Sequence, residues 1–74
     1  MILFERYLVF AAAGGFVSSW ETQQQAIGIA KGIAAQEGSA DVQQIIIGEG
    51  DYLIKTCRVH ADGRTEKLWE AEED

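Results

Sequence analysis

Cys57 and His60 are the only cysteine and the only histidine of the chain, and they have the side-chain types of a thiol nucleophile and its general base. Such a pair works only when the two side chains lie within hydrogen-bond distance. The residues around them alternate as in a β-strand, in which positions three apart point to opposite faces of the sheet. We therefore expect no catalytic dyad and no enzyme activity, with Cys57 as a small core residue and His60 on the surface beside a hairpin loop.

The sequence does not contain the residue sets that hold metal ions or phosphates. One histidine and one cysteine cannot supply a zinc tetrad. Glu49 and Asp51 offer carboxylate oxygens in a glycine-containing turn, but the longer ligand ladder of a calcium loop does not follow. Gly14 and Gly15 are not followed by a phosphate-binding pattern. We expect no metal and no cofactor.

Acidic residues dominate the charge of the chain. Twelve Asp and Glu stand against six Lys and Arg in 74 residues, for a net charge of -6. This excess repels polyanions, so we expect no direct nucleic-acid binding and a preference for basic protein surfaces. The candidate partner-binding residues are Glu49, Asp51, Glu66, Trp69, Glu70, Glu72, Glu73 and Asp74.

The two tryptophans have two open interpretations. Trp20 and Trp69 each precede a glutamate, and an aromatic side chain flanked by a carboxylate can anchor an Arg-rich partner surface. The alternative is that both tryptophans pack at the margin of the core.

Length and cysteine content indicate one small domain in a reducing compartment. A single cysteine excludes an internal disulfide, so packing alone must hold the chain together. The apolar run near the start is far shorter than the roughly 20 residues of a membrane span, and the early charges of Glu5 and Arg6 cancel. We expect a strand there, no membrane association, a compact domain over 1–70 and an acidic tail over 71–74.

Apolar periodicity predicts one helix and four or five strands. Strands are expected at 2–10, 42–47, 52–60 and 64–70, with a further short strand at 16–20. The first carries apolar residues on both faces, which suits an interior strand. Its two sets are Ile2, Phe4, Leu8 and Phe10 on one face and Leu3, Tyr7 and Val9 on the other. The predicted fold class is α+β, with one helix packed on a mostly antiparallel sheet in the order β(β)αβββ.

Helix signals lie between Thr22 and Gly38. Thr22 followed by Gln25 has the form of a capping box, and Gly38 marks the end. The expected core stripe is Ala26, Ile29, Ala30 and Ile33, extended by Ala34 and Ile27.

Two glycines, Gly28 and Gly32, interrupt this helix. They lie either on a tolerant exposed side or, with Ala35, on a smooth face that another chain approaches closely.

Asp62 and Gly63 predict a two-residue type I′ hairpin loop. That loop pairs Val59 with Glu66, Arg58 with Lys67 and Cys57 with Leu68. The core face of this hairpin is then Leu53, Cys57, Val59 and Leu68. Arg58 beside Lys67 is an unfavourable like-charge pair.

The chain shows one further pattern, formed by these segments in order: Arg6-Tyr7-Leu8-Val9-Phe10, a Gly-Gly break, an aromatic residue, Ser-Ser-Trp-Glu-Thr, a helix with Ala26 and Ile27, and Asp-Val-Gln-Gln-Ile-Ile over 41–46. It resembles that of small phage-encoded accessory proteins, anti-CRISPR inhibitors among them. The resemblance implies an inhibitor or adaptor without chemistry of its own, acting in the cytoplasm of a host bacterial cell.

Two functions are expected from these observations. The first is a phage or mobile-element inhibitor, an acidic DNA mimic that binds a basic, nucleic-acid-handling surface of a bacterial protein, with a Cas protein or CRISPR-Cas complex as the candidate partner. The second is a small structural or homo-oligomerising module that pairs through the glycine face of the helix or through an open edge strand. The chain is a monomer in the first case and a homodimer in the second.

Overall fold

The structure is a computed structural model and describes residues 2–68. Its elements are β1 (Ile2–Ala11), β2 (Phe16–Trp20), α1 (Gln23–Glu37), β3 (Ser39–Gly48), β4 (Tyr52–His60) and β5 (Thr65–Lys67). One five-stranded antiparallel sheet has the strand order β2-β1-β3-β4-β5, and α1 packs on one of its faces. The predicted α+β fold and element order are confirmed, and the segment 16–20 is a strand that pairs with β1.

The two edge strands are much shorter than the three strands between them. β2 pairs with β1 only from Tyr7 to Phe10, and β5 pairs with β4 only from Cys57 to Val59. β1, β3 and β4 continue past both of them toward the β3–β4 turn. One end of the sheet is therefore a three-stranded projection.

Local signals set both ends of α1. The Thr22 Oγ1 accepts a hydrogen bond from the Gln25 N–H at 3.2 Å, which satisfies one of the first-turn donors. Gly38 has a φ of 99°, a conformation that side chains with a Cβ rarely adopt, and its N–H donates to the Ala34 carbonyl at 2.8 Å. The predicted start and end are confirmed.

Small side chains form the buried core between helix and sheet. Its members in the described chain are Val9, Ala26, Ala30, Ala34, Ala40, Val42 and Val59. Tyr7, Trp20, Ile27 and Ile33 pack around this cluster and are partly buried. Ile29 was wrongly placed in the core stripe, because the alanine row at 26, 30 and 34 faces the sheet and leaves Ile29 37% exposed.

Residues Gly28 and Gly32 lie on the solvent side of α1. A Cβ added at either position would meet nothing within 4 Å, so no part of the described chain approaches this helix face closely. Within one copy, these glycines occupy the tolerant exposed side.

The β4–β5 hairpin corrects the predicted register. His60 donates its N–H to the Arg64 carbonyl at 2.8 Å and accepts the Gly63 N–H at 2.9 Å, which leaves three loop residues instead of two. A type I′ loop needs positive φ at both central residues, but in the described chain only glycines have positive φ, Gly63 among them. Asp62 stays at negative φ, and the turn takes an extra residue.

This extra residue shifts every pair by one position. Val59 lies opposite Thr65, Arg58 opposite Glu66 and Cys57 opposite Lys67. A shift of one residue exchanges the two faces of a strand.

Leu68 consequently leaves the predicted core face and is 41% exposed. The predicted like-charge pair of Arg58 and Lys67 is replaced by Arg58 beside Glu66. Leu53 does lie on the helix side of β4, but it is 45% exposed because it belongs to the projecting end.

Among residues 2–68, α1 is too short and too polar to cross a bilayer.

Candidate partner-binding surface

The sheet face opposite α1 carries large apolar side chains and is covered by none of the described elements. In the antiparallel register, Phe4 lies beside Ile47 and Ile47 beside Tyr52, and in the next row Ile45 lies beside Ile54. We call this surface the bare face. Its apolar members are Phe4, Leu8, Phe10, Phe16, Ile45, Ile47, Tyr52, Ile54 and Leu68.

The exposure of these side chains is high for their size. Phe4 is 48% exposed, Ile54 43% and Tyr52 71%. On the helix side, by contrast, the largest side chains that are fully buried are the valines Val9 and Val59. The described chain therefore places its small apolar residues inside and many of its large ones outside, the reverse of the usual distribution.

Charged side chains on the bare face are paired with one another. The Arg58 guanidinium donates to Asp41 across β4 and β3, with Nε 3.0 Å from Oδ1 and Nη2 3.4 Å from Oδ2. This hydrogen bond and the carboxylate charge raise the pKa of Arg58. His60 Nε2 lies 2.8 Å from Glu66 Oε1. These pairs form the polar end of the face, beside the hairpin loop.

Arg6 completes the charges on this side of the sheet. Its Nε donates to Ser19 Oγ at 3.1 Å, and its Nη1 lies 3.8 Å from Glu21 Oε2. The two arginines, Arg6 and Arg58, stand against three carboxylates, Asp41, Glu66 and Glu21, so the bare face carries a net charge of only -1 although the chain carries -6.

The predicted acidic site residues do not converge in the described structure. Glu49 and Asp51 are exposed in the β3–β4 turn, whereas Glu66 is on β5 next to the opposite end of β4. The length of β4 that separates them is roughly 20 Å. The other predicted residues, Trp69, Glu70, Glu72, Glu73 and Asp74, lie outside the described residues, as do the end of the predicted last strand and the predicted tail over 71–74.

The remaining carboxylates of residues 2–68 are also dispersed. Glu5 Oε2 accepts hydrogen bonds from the Tyr7 hydroxyl at 2.9 Å and from the Gln44 amide at 2.6 Å. The Glu37 Oε1 accepts the Ala12 N–H at 3.3 Å. Many of the acidic side chains thus have donors or cations of their own chain beside them, which reduces what they offer to a basic partner.

Cys57 and His60 point to opposite sides of the sheet, as predicted. Cys57 lies opposite Val42 on the helix side, whereas His60 lies opposite Ser39 on the bare face and contacts Glu66. Within the described chain this sheet geometry keeps the thiol and the imidazole apart, and neither residue activates the other.

A shallow groove of about 280 Å³ runs beside α1 on the helix side. Its lining consists of Tyr7, Gln23, Ile27, Val42, Gln44, Lys55, Cys57, Thr65 and Lys67. Burial, together with the hydrogen bond and the charge of Glu5, raises the pKa of the Tyr7 hydroxyl and keeps it protonated. Among residues 2–68, no cluster of three or more His, Cys, Asp or Glu side chains is arranged to hold a metal.

Trp20 packs at the core margin. It is half-buried against the cluster under α1, and its Nε1 donates to the Ser18 Oγ at 2.6 Å. For Trp20 the core-margin interpretation is confirmed, while Trp69 remains a prediction.

Sequence reasoning missed the bare face. One signal for it was available: residues 45–47 are three consecutive isoleucines, which place apolar side chains on both faces of an interior strand. Because the sequence predicts only one helix, that helix can cover only one of these two faces.

No protein-family model, no curated protein and no solved structure shows significant similarity to this chain. The resemblance to phage accessory proteins stays an expectation.

Proposed function

We propose that this chain is a non-enzymatic protein-binding module and that the bare face is its binding surface. One observation carries the proposal: Phe4, Ile47, Tyr52 and Ile54 form a contiguous, exposed apolar cluster on a sheet face that the described chain leaves uncovered. Contiguous apolar patches of this kind are uncommon on monomeric proteins and mark interaction sites.

The free energy available on this face is substantial for a domain of this size. Burying one such side chain contributes roughly 1.5–3 kcal/mol at full burial. Phe4, Ile47 and Ile54 are between 39% and 48% exposed, so a partner could bury nearly half of each of these side chains. With Tyr52, these residues together amount to about 3–6 kcal/mol, which is comparable to the marginal net stability of a small domain, about 3–5 kcal/mol. A partner on the bare face would therefore stabilise the folded chain by about as much as its own core does.

The polar end of the face supplies orientation. The Arg58–Asp41 and His60–Glu66 pairs form a rim next to the apolar cluster, an arrangement typical of protein interfaces. Their cross-strand partners hold these side chains in place before binding.

Photo-crosslinking from two neighbouring positions tests the proposal. Benzoylphenylalanine in place of Tyr52 replaces one exposed aromatic ring on the bare face by another, and the same residue in place of Leu53 lies on the other side of β4. In the cells that make the protein, we expect protein adducts from position 52 and few from position 53. Equal yields at both positions, or no adducts, would contradict the proposal.

A second candidate remains the acidic inhibitor that binds a basic, nucleic-acid-handling surface of a CRISPR-Cas complex and blocks nucleic-acid binding. It is favoured by the net charge of -6 and by the exposed pair Glu49 and Asp51 in the β3–β4 turn. In this case carboxylates steer association, so the rate falls steeply as salt rises. Charge reversal at Glu66 and Glu70 should slow association further. Association with a purified Cas complex that does not depend on salt would count against this candidate.

A further inference from the structure

We propose that the bare face is covered by the bare face of a second copy of this chain. Two copies then form a two-sheet sandwich about a twofold axis, with the two α1 helices on the outside. The inference rests on the proposed function, since it names the partner for the same surface.

The distribution of apolar residues favours a partner that is present whenever the chain is folded. Among residues 3–68, every Phe, Leu, Ile, Tyr and Trp side chain is at least partly exposed, and the buried core consists of valines and alanines. A domain of 74 residues that leaves its large apolar side chains in water is poorly stabilised by its own core. A second copy is present at the same concentration as the chain itself wherever the chain is made.

Charge complementarity points to the same partner. A basic partner would gain from an acidic face, but the two arginines of the bare face offset two of its three carboxylates and leave it close to neutral. In an isologous contact each charge can meet its opposite on the other copy. Most of the other carboxylates lie elsewhere in the described chain: Glu5 on the helix side, Glu37 at the end of α1, Glu49 and Asp51 in a turn, and Asp62 in a loop. Self-association through this face therefore keeps most of the excess carboxylates of the two copies apart.

The size of the face is adequate for a stable dimer. Strands of nine or ten residues rise about 3.3 Å per residue and lie about 4.8 Å apart. Three such strands with two short neighbours project to an area on the order of 600 Å². A standard interface buries about 800 Å² of accessible surface on each partner, and side-chain relief raises accessible area above projected area.

Geometry places Ile45 at the centre of the sandwich. It lies on the middle strand of the sheet, between Arg6 on β1 and Ile54 on β4. Facing sheets pack about 10 Å apart with interdigitated side chains. We expect Ile45, Ile54 and Phe4 to contact the second copy.

Sedimentation equilibrium of the purified chain tests the inference. We expect a dimer of twice 8.1 kDa and a thermal midpoint that rises with protein concentration. A monomer at high micromolar concentration would overturn the dimer. The bare-face proposal would survive that result if position 52 still crosslinked to a different protein, so the two failures are distinguishable.

Two neighbouring substitutions locate the interface. Ile54→Lys and Leu53→Lys change residues of similar exposure, 43% and 45%, on opposite sides of β4. Because a twofold interface contains each substitution twice, Ile54→Lys should raise the dimer dissociation constant by at least about a hundredfold. Leu53→Lys should leave it within a few fold. Equal loss in both variants would contradict a sandwich through the bare face.

Further variants separate folding from assembly. If Ile54→Lys does not fold, Tyr52→Lys replaces a side chain that is 71% exposed and should still dissociate the dimer. Gly28→Glu with Gly32→Glu places charges on the glycine face of α1 and should leave the sandwich intact. A dimer that resists Tyr52→Lys and is lost with the glycine variants would overturn the inference in favour of helix-face pairing.

Discussion

Arg58 Nε on β4 lies 3.0 Å from Asp41 Oδ1 on β3, so that one ion pair joins the two strands at the polar end of the bare face. The two residues are direct cross-strand partners, and the carboxylate raises the pKa of the guanidinium. Opposite charges at such positions favour the observed register over its neighbours.

A double-mutant cycle measures this pairing. Asp41→Asn and Arg58→Gln should each lower the thermal midpoint, and the double variant should lose less than the sum of the two because both single changes remove the same interaction. High salt should shrink the coupling, since the pair is partly exposed to solvent. Strictly additive effects at low salt would show that the pair does not couple the strands.

Alanine at the helix glycines should stabilise the protein. Gly28 and Gly32 are exposed, helical and free of close neighbours for an added Cβ. Each Gly→Ala change should raise the free energy of unfolding by about 0.5–1 kcal/mol through helix propensity.

Gly38→Ala is the matched control for these variants, because the φ of 99° at the helix end strains any residue with a Cβ, and this change should destabilise. Urea denaturation reports all three variants. A loss of stability and of dimer in Gly28→Ala would instead indicate close packing of another chain on the glycine face.

Alkaline pH should destabilise the protein through Tyr7. Burial and the neighbouring Glu5 raise the pKa of Tyr7 above its ordinary value of 10.0 in the folded chain. The folded state therefore binds the phenol proton more tightly than the unfolded state does. The corresponding stability is present below pH 10.0 and is lost as pH rises through the folded pKa.

Tyr7→Phe isolates this contribution. It should reduce the fall in unfolding free energy above pH 10.0, as measured by urea denaturation across the alkaline range. In a Tyr52→Phe background, Tyr7 is the remaining tyrosine, and its phenolate absorbance should titrate above 10.0. Titration at or below that value would contradict the buried, Glu5-bonded hydroxyl.

Asp62 should stabilise the hairpin loop in a pH-dependent way. Its Oδ1 accepts the Arg64 N–H at 2.9 Å, and this hydrogen bond lowers the pKa of Asp62 from its ordinary value of 3.8. A lowered folded pKa means that the stability is present above pH 3.8 and is lost as pH falls through the folded pKa. Asp62→Ala should therefore lower the thermal midpoint at neutral pH and approach the parent curve in acid.

Asp62→Asn serves as the control for the loop. It keeps an oxygen acceptor for the Arg64 N–H but loses the charge, so it should retain most of the stability and show less acid dependence. If Asn and Ala destabilised the protein equally, the charge and not the hydrogen bond would be the important feature.

Helix α1 could be predicted from local chemistry alone. Thr22 and Gly38 are end signals whose geometry depends on a few neighbouring backbone groups, and both act as expected. The stripe of apolar residues was sufficient to predict that the helix packs on the sheet. It could not rank Ile29 against Ala34, because that choice depends on how closely the helix approaches the strands.

The length of the β4–β5 loop could not be predicted from local sequence signals. Asp62 and Gly63 correctly indicated the position of the turn, but its length depends on whether Asp62 takes a positive φ, which it does not. This one residue decides the face of Leu68 and the neighbour of Arg58. The difference in energy between two such turns is small, so strand pairing across the sheet makes the choice.

Short-range sequence signals were thus enough to predict the helix and strands, their order and the antiparallel sheet, because capping, turn preference and periodicity act over a few residues. The candidate surface depended on tertiary structure. Only the assembled sheet brings Phe4, Ile47 and Tyr52 side by side, separates Glu49 from Glu66 and leaves one face without a helix. Net charge and composition are sums over the whole chain, so they do not indicate on which face of the sheet a side chain lies. The pairing of strands that are distant in sequence determines the face for all residues of a strand together.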